Sequence, residues 1–262
     1  MGRDPFGDQI DALDDGRAAV PTSGWTVTRV TGDDAVRWLN DLVTADLERL
    51  EPGEVVRSLL LSPTGRIRAD LLVAREPGSI RALQAPDRPR PLAELVAPYV
   101  LSSDVVLETA EADGVLVGGG RAWRLATEAP PGHVTVAPEA FEAWRVRRGV
   151  ARFPIDLDEE SLPAEAGLDR EPVIDRSKGC YLGQESVAKV RNLGHPTRVV
   201  VPAILDGAAS AGDRIRSGTE EVGVLTSLHG ANAIVRIRWA ARDDSLETVR
   251  GTPLVASYPP SG

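Results

Sequence analysis

Only one cysteine, Cys180, occurs in this chain of 262 residues. A single thiol excludes an internal disulfide framework and any zinc or iron–sulfur site built from several cysteines of the same chain. It suggests a reducing, cytoplasmic setting. The three histidines, His133, His195 and His229, lie without metal-ligand spacing, so no metal site is expected. Walker A, HExxH and GxSxG patterns are missing, as is a GxGxxG following a strand. The first fifteen residues have neither a basic start nor an apolar stretch, and no later run approaches the roughly 18 apolar residues of a membrane helix. These absences predict a soluble protein with no visible address. Positive charge is also short: 30 Lys and Arg against 39 Asp and Glu leave a net charge of -9, which argues against nucleic acid or anionic lipid as a general partner. Lysine is scarcest of all, with only Lys178 and Lys189, both within ten residues of Cys180.

What the chain does have is apolar content, 42%, enough for one large core or several smaller ones. The acidic opening, residues 1–21, shows no period and is expected to be a loosely held arm. Ala35, Trp38, Leu39 and Leu42 recur at helical spacing behind Gly32-Asp33, which predicts an amphipathic helix with Asp33 as its N-cap. The run Val55 to Leu61, the turn Ser62-Pro63-Thr64-Gly65 and the alternation from Ile67 to Val73 predict a β-hairpin around a type I turn. A strand, helix and paired strands between residues 76 and 120 suggest a ferredoxin-like unit. Residues 150–180, rich in Pro, Gly and acids, read as a functional loop. From residue 197 onward, short strands at turn-marked intervals predict a small β-barrel.

Chemistry concentrates in Arg176-Ser-Lys-Gly-Cys-Tyr-Leu-Gly-Gln-Glu185. From Arg176 to Arg198 five cationic residues face one acid, a local charge of +4 within a chain of -9. Such an island attracts a carboxylate or phosphate ligand that the whole chain repels. Lys178, two residues from Cys180, is placed to favour the thiolate and make it a better nucleophile or ligand. The plainer reading is a buried small apolar cysteine beside a surface Lys-Gly turn.

The motif KGCYLGQE (178–185) resembles the signature of the YgfZ-type folate-binding proteins, relatives of the glycine-cleavage T-protein aminomethyltransferases. The likeness extends to VTGDDAVRWL (30–39), LSPTGRIRADLLV (61–73), and Arg147-Arg148-Gly149 through PAEAGL (163–168), and covers roughly residues 22–258. It implies an α+β fold of three modules arranged like a clover: two interleaved α+β modules over 22–196 and a β-barrel over 197–262, around a channel for tetrahydrofolate or a one-carbon derivative. It also implies that Glu165 hydrogen-bonds the pterin ring, that Asp70 stands beside the reacting folate nitrogen, and that Arg198 lies near the folate. Tyr181 and Gln184 would support the site, with Cys180 and Lys178 as reacting groups. Asp70 has an alternative use, pairing with Arg66 and Arg68 on its own strand. The chain is shorter than a full T-protein by about the length of a small module, and a more open channel is expected from that. The function implied is a folate-binding accessory protein for assembly or repair of iron–sulfur enzymes, including tRNA-modifying ones, whose partners are folate and iron–sulfur enzymes or assembly proteins. A folate-dependent aminomethyl or methyl transferase and a scaffold that has lost its ligand are the alternatives. KGCYLGQE favours the first, because the transferase reaction needs no cysteine.

Overall fold

The computed structural model describes residues 5–101, 103–120 and 122–257. In chain order its elements are α1 (Gly7–Asp14), β1 (Ala18–Pro21), β2 (Thr26–Thr31), α2 (Ala35–Asn40), β3 (Glu54–Leu61), β4 (Ile67–Glu76), β5 (Ser79–Gln84), α3 (Leu92–Val96), β6 (Val106–Glu111), β7 (Val115–Gly119), β8 (Ala122–Ala126), β9 (Val134–Thr135) and α4 (Pro138–Arg148). A long irregular segment containing a 3-10 turn at Pro163–Ala166 leads to α5 (Gln184–Leu193), and then come β10 (Arg198–Leu205), β11 (Arg214–Ser217), β12 (Glu220–His229), β13 (Asn232–Arg238), β14 (Leu246–Thr248) and β15 (Pro253–Ala256). Strands β1 to β9 make one nine-stranded sheet in the order β6-β2-β5-β4-β3-β8-β7-β1-β9, and β10 to β15 close a six-stranded barrel.

The β3–β4 hairpin is the widest pairing of the sheet. Its turn is closed by the Gly65 amide donating to the Ser62 carbonyl at 2.8 Å. Leu60, Ala69, Leu71 and Val73 send their side chains into a core shared with Trp38 and Leu39 of α2. Helix α2 starts at Ala35, and Asp33 does not cap it; Asp34 Oδ2 instead accepts the Asp104 amide at 2.9 Å, tying the helix entry to the approach of β6. In the barrel, Val199, Val201, Ala203 and Leu205 point inward. The outward-facing Val200 and Ile234 join Leu59, Leu61, Ile67, Val146, Phe153 and Tyr181 in a core that bonds barrel to sheet. Alternation along each strand thus serves two cores at once.

Two expectations change. Residues 76–120 do not form their own ferredoxin-like unit, because β5 and β6 flank β2 while β7 lies across the sheet between β1 and β8. Local patterning marks strands but does not choose their partners. The acidic opening is no loose arm: residues 1–4 lie outside the described residues, but α1 buries Ile10, Ala12 and Leu13 against Leu116, Ala140 and Trp144, and β1 pairs with both β7 and β9. Its acids face outward or bind α4, so composition concealed a narrow apolar stripe.

Asp14 is the fastener. Its Oδ1 accepts the Trp144 indole N–H at 2.8 Å and the Arg148 Nε at 2.9 Å. The Arg148 hydrogen bond, ahead of the opposing effect of burial, holds the Asp14 carboxyl below its ordinary range. A carboxylate lowered in the native state contributes stability above its unfolded pKa, and that contribution is lost as pH falls through the lower native value. The attachment of α1 is therefore expected to weaken below about pH 4, read as a change in Trp144 emission. Asp14→Asn should show the acid-form emission already at neutral pH, and an unchanged emission titration in that variant would count against the assignment.

Candidate functional site

A cavity of about 750 Å³ lies between the sheet, α4 and the segment 166–173. This is within the range of small-molecule and cofactor sites. Trp25, Trp123, Phe141 and Trp144 wall one end, an unusual concentration for a chain with 4% aromatic residues. Phe141 stacks on Trp144 with centroids 5.7 Å apart and meets Trp123 edge-on at 6.3 Å. Such faces suit a flat heteroaromatic ring.

The polar end is built by the β3–β4 hairpin. Arg57 on β3 clasps Asp70 on β4 through two parallel hydrogen bonds, Nε to Oδ1 at 2.9 Å and Nη2 to Oδ2 at 2.7 Å, and Nη2 also donates to the Ala151 carbonyl at 2.7 Å. The fork geometry of arginine on carboxylate fixes the plane of the acid. Asp70 does not pair with Arg66 or Arg68, which reach Glu160 and Glu159. Arg145, Arg152 and Arg170 bring further positive charge to the cavity wall, against Glu171.

Arg145 is the deepest of them, with only 2% of its side chain exposed. It donates to Asp156 at 2.6 Å, to both Glu142 oxygens and to Ser227 Oγ on β12 at 2.7 Å. Asp156, wholly buried, also accepts from Thr226, Ser227 and the Arg152 amide. A charged network thereby joins α4, the loop after it and the barrel at the cavity's back wall.

The residues singled out from sequence fall into three places. Asp70 is in the cavity. Glu165 and Arg198 are brought together, but away from it: Glu165 is 3% exposed, in the 3-10 turn, and is met by Arg198 at 3.3 Å. Its Oε2 lies 3.3 Å from the Arg198 Nε without hydrogen-bond geometry and has no hydrogen-bond partner among the described residues. Burial raises the Glu165 carboxyl above its ordinary value, with Arg198 opposing. Its chain neighbours Ala166 to Leu168, not Glu165 itself, line the cavity.

Cys180, Lys178, Tyr181 and Gln184 form the third group. Cys180 is exposed, not a buried apolar filler. Lys178 turns inward, its Nζ donating to the carbonyls of Asn40 at 2.6 Å, Val43 at 2.8 Å and Ala45 at 2.8 Å and reaching Asn40 Oδ1 at 3.1 Å. Burial lowers its pKa to about 8 despite the nearby Asp46, Asp41 and Asp175 carboxylates. An ammonium whose three protons are all engaged by oxygens at the end of α2 is a structural clamp as placed. Tyr181 is buried in the core between sheet and barrel, and its hydroxyl pKa is raised by that burial. Gln184 opens α5 behind Gly183, whose positive φ of 83° brings it against the Ser62 carbonyl, where a Cβ would approach to 2.5 Å.

Sequence reasoning missed Arg57, the aromatic end and Thr44. Arg57 was one arginine among many, and its partner at Asp70 is 13 residues away across a hairpin. The register that aligns β3 with β4, set by the Ser-Pro-Thr-Gly turn, was the available signal.

A mixed sheet, a closed barrel packed on it and a polar-aromatic cavity between the sheet, α4 and residues 166–173 define a protein of the aminomethyltransferase fold. The described chain matches the crystal structure of glycine cleavage system aminomethyltransferase T from Bartonella henselae with a TM-score of 0.77, covering 97% of this chain and 88% of that one at 14% identity, a likeness of fold. No family model matches the chain. Among curated proteins it is 30% identical over 231 residues to "Iron-sulfur cluster assembly factor IBA57 homolog, mitochondrial" of Mycosarcoma maydis, over 71% of this chain and 56% of that protein. It is 29% identical over 181 residues to the protein of the same name in Chaetomium globosum, over 67% of this chain and 40% of that protein. The chain thus spans about half the length of the curated relatives it matches. It is a YgfZ-type protein, related to the glycine-cleavage T-proteins. Because those relatives are named as mitochondrial, the cytoplasmic expectation is not carried forward. Among the described residues no helix is long and apolar enough to cross a membrane.

Proposed function

We propose that this protein is a folate-binding accessory factor for the assembly or repair of iron–sulfur enzymes, tRNA-modifying enzymes among them, with the cavity as folate site and Cys180 as the group offered to a partner. The observation that carries this reading is the separation of two features. Asp70 is held inside the cavity by Arg57, whereas the thiol is exposed on a different loop. The names of the relatives, iron–sulfur cluster assembly factors, support the partner side.

The cavity residues fit a reduced folate. Asp70 presents a carboxylate of fixed plane to ring N–H groups, since each oxygen keeps a lone pair beyond the one Arg57 uses. The aromatic end offers faces to flat rings, and Arg170 offers positive charge to a carboxylate tail, Arg152 being held by Asp87 and Glu142. When bound, a reduced folate supplies one-carbon carriage. The chain's own part is to orient the ligand, exclude water from the aromatic end and hold the Asp70 carboxyl group in one plane through Arg57. Glu165 supports the site by stiffening the 163–168 turn through Arg198.

The transferase alternative needs Asp70 to assist proton transfer. Both of its oxygens are held by one guanidinium, which suits a fixed acceptor of hydrogen bonds, and the exposed Cys180, which the transferase reaction does not need, favours the receptor reading.

Titration with 5-formyltetrahydrofolate, followed by tryptophan quenching, tests the ligand. Cys180→Ser is expected to leave affinity within about twofold, as for an exposed substitution away from the site, while abolishing support of iron–sulfur enzyme activity in cells. Retained cellular activity in that variant removes Cys180 from the reading, and no binding by the wild type removes the folate.

A further inference from the structure

The wall of the cavity and the loop that presents the thiol are one continuous segment. Val173 lines the cavity, and Cys180 follows seven residues later. Between them Ile174 is buried in the core of sheet and barrel and Arg49 reaches Asp175 and Ser177, and at two further points the chain is fastened to residues 40–45 of the sheet module.

The first fastening is Thr44, wholly buried between α2 and β3. Its Oγ1 donates to the Val173 carbonyl at 2.7 Å and accepts the Leu59 amide at 2.9 Å. Its own carbonyl accepts the Asp175 amide at 3.1 Å, and its amide donates to the Leu59 carbonyl at 3.0 Å. With the Ser58 Oγ contact at 3.4 Å, all three polar atoms of Thr44 are engaged, in two bonds toward the segment and three toward β3. The second is Lys178, held by the four oxygens already described. Asp175 Oδ1 closes the turn between the two by accepting the amides of Ser177 at 2.6 Å and Lys178 at 3.0 Å.

The thiol itself stands clear, although Tyr181 beside it is buried in the core between sheet and barrel. Gly179 has nothing within 4 Å of an added Cβ, and Arg176, Ser177, Gly179 and Cys180 are exposed. Segments with few buried contacts open at low free-energy cost, while a buried and fully bonded threonine does not. Val173 and Asp175 are both bonded to Thr44, with Ile174 packed between them in the core that joins sheet and barrel, so Thr44 stands on the route from the cavity wall to residues 176–180.

We infer that Thr44 is a positioning residue that couples occupancy of the cavity to the presentation of Cys180, with Lys178 as the second anchor of the same loop. This rests on the proposed reading of the cavity as a folate site. Ligand pressing on Val173 shifts the segment against a fixed pivot, and the thiol is presented differently with and without it. Thr44 touches neither ligand nor thiol.

The test uses the full chain, 5-formyltetrahydrofolate as probe and two readouts. Binding is followed by tryptophan quenching and calorimetry, and the thiol by the second-order rate of Cys180 alkylation with iodoacetamide. In the wild type, saturating ligand is expected to change the alkylation rate by about fivefold or more, the low end of measured couplings between sites. Thr44→Val should still bind but lose that response, and Thr44→Ser, which keeps the hydroxyl, should restore it. A purely structural threonine would change folding without separating binding from response. Should Thr44→Val not fold, Lys178→Met serves in its place: faster alkylation without ligand and no response to it are expected. Binding with an unchanged alkylation rate overturns the coupling alone. Absence of binding in both assays overturns the folate reading and the coupling with it.

Discussion

Replacing Arg145 with leucine is expected to lower the unfolding free energy by about 3–5 kcal/mol, the usual cost of stripping one partner from a buried ion pair. Asp156 would remain, wholly buried, with its Oδ2 left only the Arg152 amide. In the native protein burial works against the Arg145 charge, but the Glu142 hydrogen bond and the nearby Asp156 outweigh it and hold its pKa above the ordinary value. The network spans α4, the 150–156 loop and β12, so its loss should also loosen the barrel against the sheet. Denaturant unfolding measures the first effect. Adding Asp156→Leu to Arg145→Leu should recover part of the loss, because removing both charges ends the unpaired desolvation. A double variant less stable than the single would mean that Asp156 is valued for Thr226 and Ser227 rather than for the ion pair.

The second large effect concerns Asp70. Asp70→Asn is expected to weaken 5-formyltetrahydrofolate binding by about tenfold to a hundredfold, the range for hydrogen bonds to a charged group. The amide loses the charge that Arg57 fixes and one of the two acceptor oxygens. Arg57→Met should weaken binding comparably, by releasing the carboxylate from its plane. The double variant should lose much less than the sum, since two residues in one hydrogen-bonded pair do not act independently. Unchanged binding in Asp70→Asn, with a folate-dependent aminomethyl transfer that the wild type performs and the variant loses, would instead establish the transferase reading.

Local elements were largely legible. The hairpin of β3 and β4, the helix α2 and most barrel strands follow from apolar period and turn chemistry, which act over a few residues. Strand β14, Leu246–Thr248, escaped notice because three residues carry no period. The opening was misjudged because α1 buries only three residues, and eight residues of mixed polarity hide so narrow a stripe. Partnering was not legible either: β5 and β6 enclose β2, a choice made by register and core volume across 80 residues.

The candidate site divides the same way. The sequence alone determined that the chain has one thiol, that both lysines flank it, and that Asp70 sits on a strand after a tight turn. Residue identity and spacing settle such matters. Only the tertiary structure decided what those groups face. It turned Lys178 inward onto the oxygens of residues 40–45, paired Asp70 with Arg57, and set Glu165 against Arg198 outside the cavity lining. The physical reason is that ion pairs and cavities form between segments far apart in the chain, where geometry, not composition, selects one partner among 30 cationic and 39 acidic side chains. The scarcity that first excluded disulfides and multi-cysteine metal sites thus left one thiol, which the folded chain places in the open, seven residues from the cavity wall.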